Sequence, residues 1–394
     1  MNKWTIYVVA LGVFLTATSE LVVAGILQVL AKDLNISIAF AGQLITAYSL
    51  AFAIGTPLLV SLTSRMGRKK VLIGALAAFI MGCLLSFLSS DIFTLIVSRL
   101  ILGVSSGVYI VAAFGAAAKI APPEKIGSAI STIVLGFSSA MILGVPISIA
   151  VTNWLNWQVI FLMLGLVSLL ITFVIYRLLP EIDGDAPMSF RQQFKVLGNA
   201  VIVSGLFLTF FRESGNSVLF TYLTPFMQDI LQLKASNISI VMLVFGISGA
   251  VGTRLGGYGI DRWGAARIIA FSTIMHVVVL ALLPLLAGLT LIGLLLILVM
   301  MVSLFMAGPA TQTYFIQQAP QSSSLVLSLN TSIVHLGLAT GAGVGGAMIS
   351  ANSTVFYNPW MASFIIGLAL VSACISFSLG NKQMRNLQKE RQIS

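Results

Sequence analysis

Twelve apolar runs, each close to the length of a bilayer-spanning helix and separated by short polar breaks, leave this chain almost nothing from which to build a water-soluble fold. They lie at 4–30, 42–62, 71–88, 92–118, 126–151 and 159–179, and again at 197–226, 238–258, 268–287, 289–315, 325–350 and 360–379. A spanning helix needs about 20 apolar residues, so twelve of them consume most of the 394 available. Only 8% of the residues are charged, where a soluble domain carries about 25%. The expected fold is an all-α membrane protein of twelve transmembrane helices.

The formal net charge of +10 raises nucleic acid as a partner, but the distribution of the cations excludes it. With a cytoplasmic N-terminus and twelve spans, Lys3, Arg65, Arg68, Lys69, Lys70, Lys119, Lys125, Arg177, Arg191, Lys195, Arg254, Arg262, Arg267, Lys382, Arg385, Lys389 and Arg391 fall inside; only Lys32 and Lys234 fall outside. This is the positive-inside pattern, and changing the span count by one destroys it. Both termini are therefore expected on the cytoplasmic face of the cell membrane. The first apolar run continues past Glu20 to Leu30 without a cleavage site, so it reads as a span and not a signal peptide. Cys83 and Cys374 lie far apart in apolar runs and give no disulfide framework.

The longest charged interruption, holding Glu181, Asp183, Asp185, Pro187, Arg191 and Lys195, divides the spans six and six. It predicts a bundle over 1–179, a cytoplasmic linker over 180–196, and a second bundle with a short basic tail over 197–394. The halves also echo each other. Phe14, Leu15, Thr16 and Glu20 match Phe207, Leu208, Thr209 and Glu213; Arg65, Gly67 and Arg68 match Arg262, Gly264 and Arg267; Gly144 in span five matches Gly341 in span eleven. A parallel six-span repeat implies a pseudo-two-fold axis along the membrane normal and a binding site near the midplane between the halves.

These residues resemble the major facilitator superfamily, and within it the twelve-span drug and metabolite exporters, over the whole chain. The loop after span two is similar to the superfamily's signature loop in Arg65, Gly67, Arg68 and Lys69, with Ser64 where an aspartate is expected; Gly257, Asp261, Arg262, Gly264 and Arg267 form its better-matched counterpart. Leu95, Arg99, Gly103 and Gly107 resemble the arginine-bearing exporter motif, and Gly136, Gly144 and Pro146 a form of the antiporter motif, with Trp157 and Phe161 opening span six. Glu20, Gly25, Leu27, Ala31, Asp33 and Leu34 look like the first helix of the sugar, arabinose and purine exporters, Gln28 standing where those have proline. The resemblance implies alternating access without a cofactor. It also implies a conformational role for the loop residues. Gly144 and Pro146 break an otherwise regular helix, which reads either as a gating bend where the bundles rock past one another or as plain packing.

No GxxxxGK[ST] loop exists to cradle ATP, and two histidines in different spans make no HExxH or zinc-spaced cluster. The ionisable residues deep in apolar runs are Glu20, Arg99, Arg212, Glu213, His276 and His335. A charge at a helix centre costs about 2.5–3.5 kcal/mol on insertion scales, so such groups face a cavity or a partner. Glu20 and Glu213 sit at comparable depths on related helices, and burial favours the neutral carboxyl, which suits a group that takes up and releases a proton. The bland alternative for each is a fixed ion pair or a helix-packing hydrogen bond.

Neighbours on a helix diverge by about 100°, so Arg212 and Glu213 are expected not to pair and only Glu213 to face the cavity, with Glu20 across it a candidate partner for Arg212. Arg99 is a candidate modulator of a nearby carboxylate, or a structural donor to backbone carbonyls. Asn330, Thr331 and His335 give span eleven a polar stripe. His276, among valines, reads as a packing residue. Gln43, Tyr48, Tyr109, Phe211, Phe305, Gln312 and Tyr314 are further lining candidates.

The expected function is secondary active transport, with protons entering in exchange for a small amphipathic or polar metabolite or drug leaving, by a monomer whose partners are substrate, protons and lipid. A uniporter or importer of the same fold is the nearest alternative, in which the two glutamates bind substrate without proton transfer. A membrane sensor is disfavoured because no sizeable soluble output domain is present. An enzyme is disfavoured because no nucleophile, base and orienting group assemble from these motifs.

Overall fold

The computed structural model describes residues 4–63, 65–120, 126–184, 196–319 and 323–393. Ser64 and most of the expected linker (185–195) lie outside the described residues, as do Lys3 and Lys125 and the side chains of Arg385, Lys389 and Arg391. Among the described residues the chain is helical with no strand.

Eleven helices among the described residues are long and apolar enough to cross a membrane. The twelfth, span seven, is Ala200–Phe220. It is less apolar because Arg212, Glu213, Ser214, Asn216 and Ser217 occupy its middle, and all five are buried against other helices or the interior cavity. Span one is Trp4–Gly25, followed by the short helix Leu27–Asp33; spans two to four are Ile38–Leu62, Arg68–Leu88 and Ile92–Ile120; span six is Trp157–Leu178. Spans eight to twelve are Ala235–Trp263, Ala265–Leu286, Thr290–Gln318, Ser323–Asn352 and Asn358–Ile393.

Helix starts follow side-chain chemistry. Ser37 Oγ accepts from the Phe40 N–H at 3.1 Å, Asn156 Oδ1 from Val159 at 3.1 Å, and Asn199 Oδ1 from Val201 at 2.9 Å. Span five runs as Ile126–Ser139, a π turn at Ala140–Gly144, and Val145–Trp154. Pro146 lacks a backbone N–H and its ring crowds the preceding turn, and one wider turn relieves both problems. Gly264, between spans eight and nine, has φ +85°, a left-handed conformation that disfavours a side chain.

The repeat is visible in the packing. Within the first half, span two packs on four, three on four and on six, and one on five and on six; the second half repeats the set as eight on ten, nine on ten and on twelve, and seven on eleven and on twelve. The two seams between halves, two on eleven and five on eight, exchange under the same correspondence. Gly144 and Gly341 occupy equivalent close approaches: a Cβ at Gly144 would overlap Thr18 Oγ1 of span one, and one at Gly341 would overlap the Ser214 carbonyl of span seven.

Overpacking at such a site costs about 1–3 kcal/mol or more. Gly341→Val is therefore expected to reduce the folded, monodisperse protein recovered in detergent, read by size-exclusion chromatography; an unchanged profile would mean the helices separate freely there.

Hydrogen bonds among the described residues join the halves between mid-span and the end of the bundle remote from the termini. Thr46 Oγ1 donates to the Ala339 carbonyl (3.4 Å), Thr224 Oγ1 to Ala24 (3.0 Å), Ser239 Oγ to Pro146 (2.6 Å), and Gln28 Nε2 to Asp229 Oδ1 (3.1 Å). Pro146 thus belongs to the seam between spans five and eight.

Candidate transport site

Between the halves lies a cavity of about 790 Å³, lined from spans one, two, four and five on one side and seven, eight, ten and eleven on the other. Its wall is mostly apolar, with Leu21, Leu44, Val134, Phe137, Phe220, Phe305 and Leu338 among the lining residues. Set into it are Glu20, Tyr48, Arg99, Arg212, Glu213, Gln312, Asn330 and His335, eight residues singled out from the sequence.

Glu20 is the cavity's least committed acid. Its Oε1 lies 3.7 Å from His335 Nδ1 across the seam, too long for a hydrogen bond, and its buried Oε2 has no partner among the described residues. His335 is held by stacking on Phe52 of span two, with ring centroids 3.5 Å apart. Arg99 is 1% exposed. Its Nη1 donates to the Ser19 carbonyl at 2.8 Å and its guanidinium lies 4.7 Å from the Phe161 ring centroid, whereas the buried Nε and Nη2 meet no partner among the described residues.

The expectation for Arg212 and Glu213 fails. Arg212 Nε donates to Glu213 Oε1 at 3.1 Å and Nη2 donates to the same oxygen, so the adjacent residues form a buried pair and both line the cavity. The 100° divergence fixes only the Cα–Cβ directions, and the long arginine stem is flexible enough to fold its head back over the neighbouring carboxylate. Glu20 is not the partner of Arg212. The remaining Arg212 nitrogen, Nη1, donates to Thr311 Oγ1 at 2.8 Å.

Two lining candidates lie elsewhere. Tyr109 is fully buried between spans one and four, its hydroxyl donating to the Val9 carbonyl at 3.0 Å in the slot left by Gly12. Thr331 returns its hydroxyl to Leu327 O at 3.0 Å, because the cavity face of span eleven is the row Asn330, Val334 and Leu338 with His335 beside it. Gln43, Phe211, Tyr314 and His276 are also absent from the lining, while Phe305 belongs to it. His276 is buried with its Nε2 unpartnered among the described residues. Thr311, Ser49, Ser138, Asn216, Ser217 and Thr221 line the cavity without having been singled out. Thr311 carried one signal, a hydroxyl beside Gln312 in an otherwise apolar run.

At the terminal end, the loop after span two grips the segment that follows span six. Arg68 N–H donates to the Ile182 carbonyl (2.8 Å), Lys69 Nζ lies 3.5 Å from Glu181, and Lys119 Nζ donates to the carbonyls of Asp183 (2.7 Å) and Gly184 (3.0 Å). Gly67 faces the same strap, a Cβ there falling 3.1 Å from the Ile182 oxygen. Arg65 is exposed. In the second half, Arg262 Nη1 donates to the Tyr258 hydroxyl at 3.0 Å and its guanidinium sits 5.7 Å from the Trp263 ring, with Asp261 exposed.

The Major Facilitator Superfamily profile matches residues 9–342. The chain belongs to the major facilitator superfamily. Among superfamily relatives it is 36% identical over 383 residues to the uncharacterized MFS-type transporter YbcL of Bacillus subtilis (strain 168), covering 97% of this chain and 98% of that one. It is 29% identical to the inner membrane transport protein YdhP of Escherichia coli (strain K12), over 95% and 96% of the two chains. Among solved structures, a D-xylose-proton symporter superposes with a TM-score of 0.77 at 18% identity, covering 95% of this chain and 97% of that one. A bacterial homologue of the lysosomal transporter Spinster, in an inward-facing unoccupied conformation, superposes with a TM-score of 0.75 at 14% identity, covering 98% and 99%. At those identities the likeness is one of fold, twelve helices in two bundles. The protein is a multi-pass membrane transporter of small molecules.

Proposed function

We propose that this transporter exchanges protons for a small amphipathic or polar solute, exporting the solute across the cytoplasmic membrane as bundles 1–179 and 197–394 rock about the cavity. The observation carrying this reading is the state of Glu20. It is a cavity carboxylate with one oxygen unpartnered among the described residues, while the other cavity acid, Glu213, is held by Arg212. A proton or a solute cation can therefore occupy Glu20 in turn, and mutually exclusive occupancy of one site couples opposed fluxes. Orientation with both termini cytoplasmic rests on the distribution of Lys and Arg.

The test uses purified protein in sealed liposomes of known orientation with a pH-sensitive dye inside, to which purines, sugars, amino acids and drugs are added in turn. Solute-dependent proton movement opposite to the solute is expected. Solute flux that leaves the dye silent would instead identify a uniporter, and co-directional flux a symporter.

The loop carrying Arg65, Gly67, Arg68 and Lys69 is read as a conformational element remote from substrate, as is its counterpart at Asp261, Arg262 and Gly264. Lys69 and Glu181 are partly solvated, so their attraction is worth about 0–1 kcal/mol. Lys69→Glu is expected to slow turnover by up to about fivefold with substrate affinity near that of the wild type. A large loss of affinity at unchanged turnover, in equilibrium binding and flux assays, would overturn this role.

A further inference from the structure

The first half of the molecule fills with its own chain a seat that the second half leaves open. Span six stops after 22 residues at Leu178, and the chain then turns back across the start of span three and the end of span four. What this seat takes is oxygen: the Arg68 N–H holds the Ile182 carbonyl, Lys69 lies 3.5 Å from Glu181, and Lys119 Nζ holds the carbonyls of Asp183 and Gly184. Span twelve packs on span nine as six packs on three, but it does not turn back. It continues as helix for 36 residues, through Gly380 to Ile393. The equivalent place, beside the start of span nine and the end of span ten, is a cleft of about 580 Å³ that shares no lining residue with the central cavity.

Arg267, Gln317 and Gln318 form the polar part of the cleft wall, and Trp263, Tyr314 and Phe377 the aromatic part. No acid lines it among the described residues, and the exposed Arg267 has neither an ion-pair nor a hydrogen-bond partner among them. A second cation, Arg262, lies over the Trp263 ring. From Arg267 an exposed apolar row, Phe271, Ile274 and Val278, runs along one face of span nine, the kind of surface that meets acyl chains in a bilayer-spanning bundle. Trp263 and Tyr258, both exposed, mark the level of the headgroups, where aromatic residues of membrane proteins concentrate.

We propose that this cleft binds the headgroup of an anionic phospholipid, its phosphate on Arg267, headgroup hydroxyls on Gln317 and Gln318, and an acyl chain along Phe271, Ile274 and Val278. The unesterified oxygens of a phosphodiester match the planar fork of a guanidinium. Basic pockets between membrane helices at the cytoplasmic side hold such headgroups, and the distribution of Lys and Arg puts this end of the bundle there. A free phosphate would satisfy Arg267 but leave the apolar row uncovered; a phospholipid serves both. The lipid joins spans nine, ten and twelve where the chain after span six joins spans three, four and six. This site stands whether or not the transporter exchanges protons.

The experiment uses the purified full chain, stripped of lipid in detergent and then given dioleoylphosphatidylglycerol, dioleoylphosphatidylcholine or inorganic phosphate. Bound lipid is counted by native mass spectrometry and unfolding is followed by tryptophan fluorescence. Phosphatidylglycerol is expected to bind about tenfold more tightly than phosphatidylcholine, the value of a charge-assisted hydrogen-bond set, and to raise the melting temperature more. Arg267→Gln is expected to bring phosphatidylglycerol down to the level of phosphatidylcholine. Ala270→Leu, which narrows the cleft and keeps its charge, is expected to weaken both lipids. Arg254→Gln removes an exposed cation of span eight outside the cleft and is expected to leave the preference in place.

Equal binding of the two lipids, or Arg254→Gln lowering the preference as much as Arg267→Gln, would overturn the site and reduce it to diffuse attraction between a basic face and anionic lipid. Lipid binding unchanged by Ala270→Leu would remove the cleft from the account. Inorganic phosphate protecting the protein as well as phosphatidylglycerol, with the same dependence on Arg267, would replace the lipid by a free anion and overturn the proposal as well.

Discussion

Glu20→Gln is expected to convert uphill transport into mere equilibration. In an exchanger moving one proton per solute, a gradient of one pH unit supports about a tenfold solute gradient, since one unit is worth about 1.4 kcal/mol. The amide keeps the size and polarity of the carboxylate but can neither titrate nor hold a cation by charge, so the ratio should fall from about ten to one while solute counterflow at equal pH continues at a higher half-saturating solute concentration. The surroundings support this division of effects: Glu20 touches His335 only at 3.7 Å and leaves Oε2 open, so little packing depends on its charge. A gradient-driven ratio near ten in the variant would show that Glu20 does not carry the proton, and would move attention to Glu213.

The fold was legible because a bilayer reduces the choices. Backbone polar groups with no water to bond must close into helices, so twelve apolar runs already specify twelve helices. The repeat was legible in a few residues, and Gly144 and Gly341 illustrate why: each is a place where another helix leaves no room for a Cβ. Span seven tested the limit, since its polar centre lowers the hydropathy that marks a span, and the same residues form one wall of the cavity.

The site was legible by residue type but not by partner. Polar groups inside apolar runs identified Glu20, Arg99, Asn330 and His335, since burial is costly without a cavity or a bond. Direction was harder to infer. Tyr109 and Tyr48 look alike in sequence, yet Gly12 opens a slot that takes Tyr109 into the span one–four contact, and only Tyr48 reaches the cavity. Helical spacing assigns faces, but for a side chain as long as arginine it does not assign the position of the charged head, and Arg212 is the case in point.

That pair supports the other large prediction. Arg212 and Glu213 are both nearly excluded from solvent and satisfy each other, with Thr311 holding the third nitrogen position. Removing one member of a buried pair leaves an uncompensated charge and costs about 3–5 kcal/mol, whereas replacing both with apolar residues of similar volume is often neutral or stabilising. Glu213→Ala and Arg212→Ala are each expected to lower stability by about that amount, and Arg212→Met with Glu213→Leu to recover most of it, measured by unfolding in detergent. A double variant as unstable as the singles would mean that the pair contributes stability the apolar residues cannot replace. Function separates the two glutamates further. With the proton carried by Glu20, the double variant should retain proton-driven exchange at reduced rate while Glu20→Gln loses it. The opposite result, coupling lost in the double variant and kept in Glu20→Gln, would transfer the proton to Glu213 and make its contact with Arg212 the bond that each cycle must break.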